Sequence, residues 1–394
     1  MKLDYSLERK FMKNNLKTML IVFLGVFFTS LMTNTLSPFI TTIKSTYNMS
    51  SSVIAMLPSV VYCGSFIICL ISAKLMDKSG LKKGTIFGAI LAIIASIVIL
   101  ASKSYTILLI GYFFTGLASG MITVYVSTIL SLLPKKYQKF SLFNACYGIG
   151  GILILPIDRL ILENAIPFNF TYIIHIITMI IFIILVLKMD NINIPHKDNR
   201  ESIISVVKNP FVLFTSIAIF LYVGSELSTT NWTGTFLESH YHISKADVPN
   251  ILMGFWILFT FGRAVGDILL EKIGQLKFLM ISPIITLLGI FILITGKNSF
   301  QALVGIAIIG MTISIIYPAL QSYIVQNVKK ENIPPVTIII SLFNCTGATV
   351  LTYAVGFAVS INISYVYLIQ VFFYLYIIML AIKLLFFNKK RYDI

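Results

Sequence analysis

The sequence predicts an all-α membrane protein with twelve transmembrane helices in two pseudo-symmetric six-helix bundles. The first observation behind this prediction is composition: the 394 residues are 57% apolar and only 11% charged, whereas a soluble domain has about 25% charged residues. The second is a set of twelve apolar segments, and the third is a repeat shared by the two halves. A mean hydropathy of +0.92 excludes a water-soluble fold, because such a fold needs a polar surface.

Each predicted span is a mostly apolar stretch of about 20 residues, the length that crosses a bilayer. Charge clusters, Pro and Gly mark the breaks between spans. The twelve segments are 17–42, 52–75, 84–102, 105–133, 139–162, 167–188, 210–237, 248–270, 276–296, 299–327, 333–360 and 363–387. The first is too long for the apolar region of a signal peptide, so we expect it in the mature protein.

The long polar stretch between the sixth and seventh spans predicts the domain organisation. We expect an N-terminal bundle over 1–189, a cytoplasmic linker over 190–209 and a C-terminal bundle over 210–394. Of the 30 Lys and Arg residues, five fall on the side opposite to the termini and the linker: Lys44, Lys103, Arg159, Lys245 and Lys297. Lys and Arg concentrate in cytoplasmic loops, so both termini are expected in the cytoplasm. This also explains the net charge of +15 without a nucleic-acid partner.

Short motifs recur in the two halves in the same order. Residues 45–50 recur as 239–244. Residues 77–83 recur as 271–277, also 194 positions later. Two further matches follow, at offsets of 190 and 200. Parallel six-helix repeats of this kind predict a solute site between the halves at mid-membrane.

The loop between the second and third spans carries a family motif. It reads Ala73-Lys-Leu-Met-Asp77-Lys78-Ser-Gly80-Leu-Lys82-Lys83 and is similar to Gly-x-x-x-Asp-Arg-x-Gly-Arg-Lys, the signature of the major facilitator superfamily. The resemblance covers essentially the whole chain. It implies the major facilitator fold and a monomeric secondary active transporter that works by alternating access in the plasma membrane.

The resemblance also implies a cytoplasmic gate. A carboxylate at a helix end can pair with a cation or a helix N-terminus in one conformation and release it in the other. The expected gating residues are Asp77, Lys78, Lys82, Lys83, Arg263 and Asp267. Arg263 and Asp267 are four residues apart and can pair along one helix. For the four residues of the first loop, the alternative is a solvated charged loop.

A narrower resemblance lies in the seventh span. Tyr222-Val-Gly224-Ser-Glu226, followed by Asn231-Trp232, resembles a segment of the fucose/proton symporter branch and its sugar-transporting relatives. It implies proton-coupled uptake of a sugar. The first and fourth spans, however, lack the carboxylates that this branch uses for sugar and proton.

Glu226 is the clearest candidate for proton coupling. An ionisable group at membrane depth is costly and is therefore a functional candidate. We expect it to take up a proton when its surroundings change from wet to dry. The alternative is a hydrogen bond that braces a broken helix.

Polar and aromatic side chains near the middle of six spans are candidate solute ligands. Amides supply donors and acceptors, and aromatic faces cover the C–H surface of a sugar ring. The candidates are Asn34, Tyr125, Asn144, Tyr147, Asn231, Trp232, Tyr317, Gln321 and Asn344. The set contains no Lys or Arg, which favours a neutral polar solute. The alternative is that these groups bond helix to helix.

Four further polar residues are of interest. Asp158, Arg159 and Glu163 follow Pro156 near the end of the fifth span; they form either an interfacial Arg159–Glu163 pair or an outer gate. His175 in the sixth span is either a proton relay or a hydrogen-bonded structural residue.

The sequence contains no nucleophile elbow, phosphate-binding glycine loop, zinc spacing or haem motif. We therefore expect no enzyme activity, cofactor or metal, and transport driven by a gradient. Proton-coupled uptake of a small neutral solute such as a sugar is the first hypothesis. A proton-driven antiporter that exports drugs or other amphipathic compounds is the second, and a transporter-like receptor is the third. Abundant Ile, Lys and Asn are typical of an AT-rich bacterial genome.

Overall fold

In the computed structural model, residues 2–49, 53, 56–164, 166–192, 201–243 and 248–387 are described, and every regular element among them is helical. The helices are α1 (Lys2–Asn34), α2 (Leu36–Thr46), α3 (Met56–Leu100), α4 (Tyr105–Leu132), α5 (Phe140–Glu163), α6 (Tyr172–Leu187), α7 (Ile203–Lys208), α8 (Pro210–Tyr241), α9 (Val248–Ile273), α10 (Gln275–Thr295), α11 (Ser299–Ile313), α12 (Ile316–Gln326), α13 (Ile333–Thr346), α14 (Thr352–Ile361) and α15 (Tyr365–Phe387). The prediction of an all-α protein is confirmed.

Eleven helical runs among the described residues are long and apolar enough to cross a membrane. One of them, α3, contains 45 residues and is interrupted at Gly80, whose φ of 71° and ψ of 172° are not helical. At 1.5 Å per residue, 45 residues extend for about 67 Å, more than twice a hydrocarbon core of about 30 Å. Therefore α3 holds the second and third predicted spans, joined by a turn that needs the left-handed backbone of glycine.

Two prolines explain breaks inside predicted spans. Proline has no N–H for the carbonyl four residues before it. Pro38 therefore leaves the Asn34 carbonyl without its helical donor, and the first span divides into α1 and α2 around Thr35. Pro318 does the same to the Ser314 carbonyl, and the tenth span divides into α11 and α12.

The eleventh predicted span contains a π-helical segment, Gly347–Leu351, between α13 and α14. Glycines bring this segment close to α8. A Cβ on Gly347 would lie 3.0 Å from the Phe220 Cα, and a Cβ on Gly224 would overlap the Leu351 side chain. The segment thus packs on α8 two residues before Glu226.

The chain forms two compact units. The first contains residues 1–139, 146–201 and 330–342; the second contains residues 140–145, 202–329 and 343–394. The first unit has an aromatic and aliphatic core that includes Phe39, Tyr112, Phe168 and Tyr172. The first turn and a half of α5 belongs to the second unit, and most of α13 to the first.

Large apolar side chains face outward on many helices. Phe372 and Phe386 on α15 are about three-quarters exposed, and Phe291 on α10 and Ile177 on α6 are also exposed. In water such surfaces would be a source of aggregation. They fit a multi-pass membrane protein whose helices face lipid.

Candidate functional site

The second unit contains a buried ion pair between two helices. Arg263 Nη2 on α9 donates to Glu226 Oε1 on α8 at 3.0 Å, and the two side chains are only 9% and 17% exposed. A buried charge is tolerated when an opposite charge and further hydrogen bonds satisfy it. The pair therefore brings together the predicted coupling residue and one of the predicted gating residues, with no net charge.

Two further contacts hold the Arg263 guanidinium. Its Cζ lies 4.3 Å from the ring centroid of Phe259, one turn earlier on α9, which is a cation–π distance. Its Nε donates to the Ser314 carbonyl at 3.3 Å. This is the carbonyl that Pro318 leaves without a helical donor, so the break between α11 and α12 supplies an acceptor to the site.

Aromatic and amide groups surround the pair. The phenol of Tyr222, one turn before Glu226, lies near both the carboxylate and the guanidinium, although its buried hydroxyl makes no hydrogen bond of normal geometry. Its ring centroid lies 6.2 Å from that of Tyr317. Asn144 Nδ2 points to Gln321 Oε1 at 3.5 Å. Thus the structure brings Tyr317 to the ion pair, and Asn144 to Gln321.

Asp267 has a different partner from the one its spacing indicates. Its two carboxylate oxygens accept hydrogen bonds from the backbone N–H groups of Ser141 at 3.2 Å and Leu142 at 2.9 Å. These groups lie in the first turn of α5, where Lys139 provides no side-chain cap. The Ser141 hydroxyl also donates to the Arg263 carbonyl at 2.7 Å. Asp267 on α9 therefore caps α5, and its negative charge interacts favourably with the positive end of the α5 dipole.

The other predicted solute ligands of the second unit lie apart from the ion pair. Asn231 is exposed on α8, five residues or about 7.5 Å beyond Glu226. Trp232 packs near Gly356 of α14, and its buried indole N–H has no hydrogen-bond acceptor. Asn344 is half-buried on α13.

In the first unit, Asn34 and Tyr147 lie together where α1 meets α5. Asn34 Nδ2 donates to the carbonyl of Ser30 at 2.9 Å, and a Cβ on Gly151 would lie 3.1 Å from the same nitrogen. The Tyr147 hydroxyl lies 3.0 Å from the Thr33 hydroxyl. Close packing on glycine thus places an amide and a phenol side by side.

Tyr125 lies elsewhere in the first unit. It is fully buried on α4, and its phenol is near the Ser79 hydroxyl and the Asp77 carboxylate. A Cβ on Gly84 would overlap its ring. The structure therefore associates Tyr125 with the predicted gate loop.

The lysines of that loop differ in their positions. Lys78 and Lys83 are exposed, as is Asp77. Lys82 Nζ donates to the carbonyls of Leu187 at 2.9 Å and Met189 at 2.6 Å, at the C-terminal end of α6. A cation there stabilises the helix dipole and its unpaired carbonyls.

Sequence reasoning missed three groups of the second unit. Tyr222 and Phe259 each precede a charged residue of the pair by four positions, so helical periodicity places them on the same faces. Gln370 on α15 accepts hydrogen bonds from Ser225 at 2.9 Å and Thr229 at 3.1 Å; the four-residue spacing of these hydroxyls was the available signal. No cluster that could hold a metal ion occurs among the described residues.

Comparison with known sequences gives consistent matches. The profile of the Major Facilitator Superfamily matches residues 22–352 and 228–392. A protein TsgA homolog of Buchnera aphidicola subsp. Baizongia pistaciae is 28% identical over 293 residues, which is 72% of this chain and 73% of that protein. The nitrite extrusion protein of Bacillus subtilis is 25% identical over 299 residues, 69% of this chain and 74% of that protein.

Solved structures share the fold. The transporter FucP in its outward conformation superposes with a TM-score of 0.80 at 17% identity and covers 93% of this chain and 98% of its own. The proton:xylose symporter XylE has a TM-score of 0.76 at 10% identity and covers 95% and 96%. Identities this low concern the fold alone, and the predicted fold is confirmed.

Proposed function

Because this chain belongs to the Major Facilitator Superfamily, we propose that this transporter couples proton movement to the uptake of a small neutral polar solute, such as a sugar, across the plasma membrane. Two solved structures that share its fold are named as a transporter and a proton:xylose symporter. Alternating access between two six-helix bundles carries the solute, and protons supply the driving force.

The observation that carries the proposal is the buried Glu226–Arg263 pair. A proton on Glu226 removes its negative charge and weakens its hold on the guanidinium. Arg263 then has donors free for a solute hydroxyl, because a guanidinium has five N–H groups. Release of the solute lets Arg263 return to Glu226, and the proton leaves. One titrating group thus links proton binding to solute binding.

The groups around the pair fit a neutral solute. Tyr222 and Tyr317 offer aromatic faces near the pair. The amides of Asn144 and Gln321 supply both donors and acceptors. Asn34 and Tyr147 supply a similar amide and phenol in the first unit.

We propose that the hydrogen bonds between Asp267 and the first turn of α5 act as a gate to the site. Asp267 holds the first turn of α5 by two charge-assisted hydrogen bonds. A conformation that opens this end must break both bonds, and the helix N-terminus then loses its anion. Lys82 in turn fixes the C-terminal end of α6.

A small inorganic anion is the second candidate solute. The curated relative of Bacillus subtilis is named for nitrite extrusion, and a staphylococcal relative is named as a probable nitrate transporter. Protonation of Glu226 would leave Arg263 as an uncompensated cation in a buried place, which attracts an anion. In this case proton and anion move together.

The test is transport in proteoliposomes that contain the purified protein and an internal pH indicator. A proton gradient is imposed, and labelled hexoses, polyols, nucleosides, nitrate and nitrite are added one at a time. We expect accumulation of one neutral solute together with internal acidification. Glu226→Gln should lose accumulation but keep solute exchange, because exchange needs no net proton movement.

Glu163→Gln is the matched control, because Glu163 also pairs with an arginine, at 2.7 Å, but at an exposed position. It should transport like the wild type. Accumulation of nitrate or nitrite alone would assign the second candidate. Silence for all solutes, together with proton-driven efflux of a lipophilic dye, would contradict the uptake proposal and favour the drug antiporter. Full accumulation by Glu226→Gln would remove Glu226 from the mechanism.

A further inference from the structure

The first unit contains a buried carboxyl group that the proposed mechanism does not use. Asp158 on α5 is fully buried, and neither carboxyl oxygen has a hydrogen bond of normal geometry. The hydroxyl of Thr171, just before α6, lies close to the Asp158 carboxyl group. This hydroxyl is also buried and has no other hydrogen-bond partner.

The surroundings of Asp158 are apolar and uncharged. The Tyr112 and Tyr172 rings near it belong to the aromatic core of the first unit. Their hydroxyl groups bond to each other at 2.8 Å. The next residue on α5, Arg159, turns outward and pairs with Glu163, with side chains 77% and 52% exposed. Among the described residues, no lysine or arginine pairs with Asp158.

His175 contacts both the aromatic core near Asp158 and the break in the first span beside Asn34. His175 lies one turn after Thr171 on α6 and packs edge-on against the Tyr172 ring. Its Nε2 lies 2.8 Å from the Thr35 hydroxyl, at the break between α1 and α2 beside Asn34. Its Nδ1 is buried without a partner. Buried polar atoms without a hydrogen-bond partner thus occur in Asp158, Thr171 and His175.

We propose that Asp158 and Thr171 form a second proton-binding site, and that its proton leaves when the solute is carried. An isolated carboxylate in an apolar place takes up a proton in preference to staying charged. The neutral acid can then donate to the Thr171 hydroxyl. His175 bonds Thr35 at the break beside Asn34 and packs on Tyr172, whose ring lies near Asp158. A movement of α1 on solute binding therefore reaches the environment of the acid through these two rings.

A proton suits this site better than a metal cation. Hard cations take about six or more oxygen ligands, whereas the described neighbours of the carboxyl group offer one free hydroxyl, that of Thr171. The titratable groups around Asp158 come from four segments: Tyr112 on α4, Tyr172 and His175 on α6, Tyr47 after α2 (through Tyr112), and Arg159 and Glu163 on α5. Of these groups, His175 is the one buried residue that can become a cation, and neither of its ring nitrogens contacts a carboxylate.

The site is tested on the full-length protein in lipid nanodiscs by infrared spectroscopy. Incorporating ¹³C-labelled aspartate shifts the C=O band of protonated aspartate away from the corresponding band of glutamate. We expect such a band at neutral pH in the wild type, its loss in Asp158→Asn, and its retention in Glu163→Gln. Absence of a protonated aspartate in the wild type would overturn the inference, and this result does not depend on the folding of a variant.

Transport gives the second readout, and here the inference rests on the proposed function. Asp158→Asn should keep solute exchange but lose proton-driven accumulation, and the wild-type band should decrease when solute is added. A fully coupled Asp158→Asn, or uptake that follows a Na⁺ gradient, would overturn the inference. Loss of coupling in Glu226→Gln alone would leave the proposed function standing without the second site, so the two failures are distinguishable.

Discussion

The Glu226–Arg263 pair is expected to have a coupling energy of several kcal/mol, and this energy can be worked from its geometry. Two unit charges 3.0 Å apart attract by about 5.5 kcal/mol at an effective dielectric constant of about 20. Arg263→Met removes the cation and leaves Glu226 among aromatic rings. Breaking a buried pair in this way costs about 3–5 kcal/mol. The double variant Glu226→Gln/Arg263→Met should recover most of this loss, because no buried charge remains.

The assay is a double-mutant cycle on the free energy of unfolding in mixed detergent micelles. The hydrogen bond of Arg263 to Ser314 is lost in both arms and cancels. Arg159 and Glu163 give a matched cycle: their atoms are closer, at 2.7 Å, but the side chains are mostly in solvent, where such pairs contribute about 0.2–1 kcal/mol. A coupling energy at Glu226–Arg263 no larger than at Arg159–Glu163 would refute the reasoning that burial makes this pair strong.

Three further predictions concern packing and helix ends. Gly84→Ala should lower the free energy of unfolding by about 1–3 kcal/mol through overlap with the Tyr125 ring; a thermal melt checks this, and Tyr125→Leu in the same chain should restore stability. Asp267→Ala should cost about 0.5–2 kcal/mol as a lost cap and speed hydrogen exchange at the Leu142 amide; unchanged exchange would contradict the cap. Lys82→Gln should weaken the C-terminal end of α6, whereas Lys82→Arg should keep its carbonyl contacts, and a comparison of their melting temperatures tests the difference.

Hydropathy located most spans closely, because lipid requires continuous apolar helices. The predicted spans 105–133 and 276–296 correspond to Tyr105–Leu132 and Gln275–Thr295. The second and third spans were predicted as separate and occur as one run, since only Gly80 departs from helical angles between them. The breaks at Thr35 and Ser314 follow from prolines that a hydropathy window does not weigh.

The contacts of the site were harder to predict from the sequence than the spans. Spacing along one helix indicates that Arg263 can pair with Asp267, but it carries no information about neighbours on other helices. In the structure, Arg263 pairs with Glu226, 37 positions earlier. Asp267 accepts hydrogen bonds from backbone groups of α5. Burial was equally hidden: Asp158 and Arg159 are adjacent in the sequence, yet one faces the core and the other the surface.

The π-helical segment Gly347–Leu351 has a consequence for the phase of the helix that follows it. A π turn holds one residue more than an α turn, and each residue of an α-helix advances by about 100°. Every side chain of α14 is therefore rotated by about that angle from where an uninterrupted helix would point it. This rotation presents Gly356 to Trp232 and turns Tyr353 outward. Deleting one residue of the segment would turn every side chain of α14 by about 100° and move Gly356 away from Trp232, while leaving the composition almost unchanged.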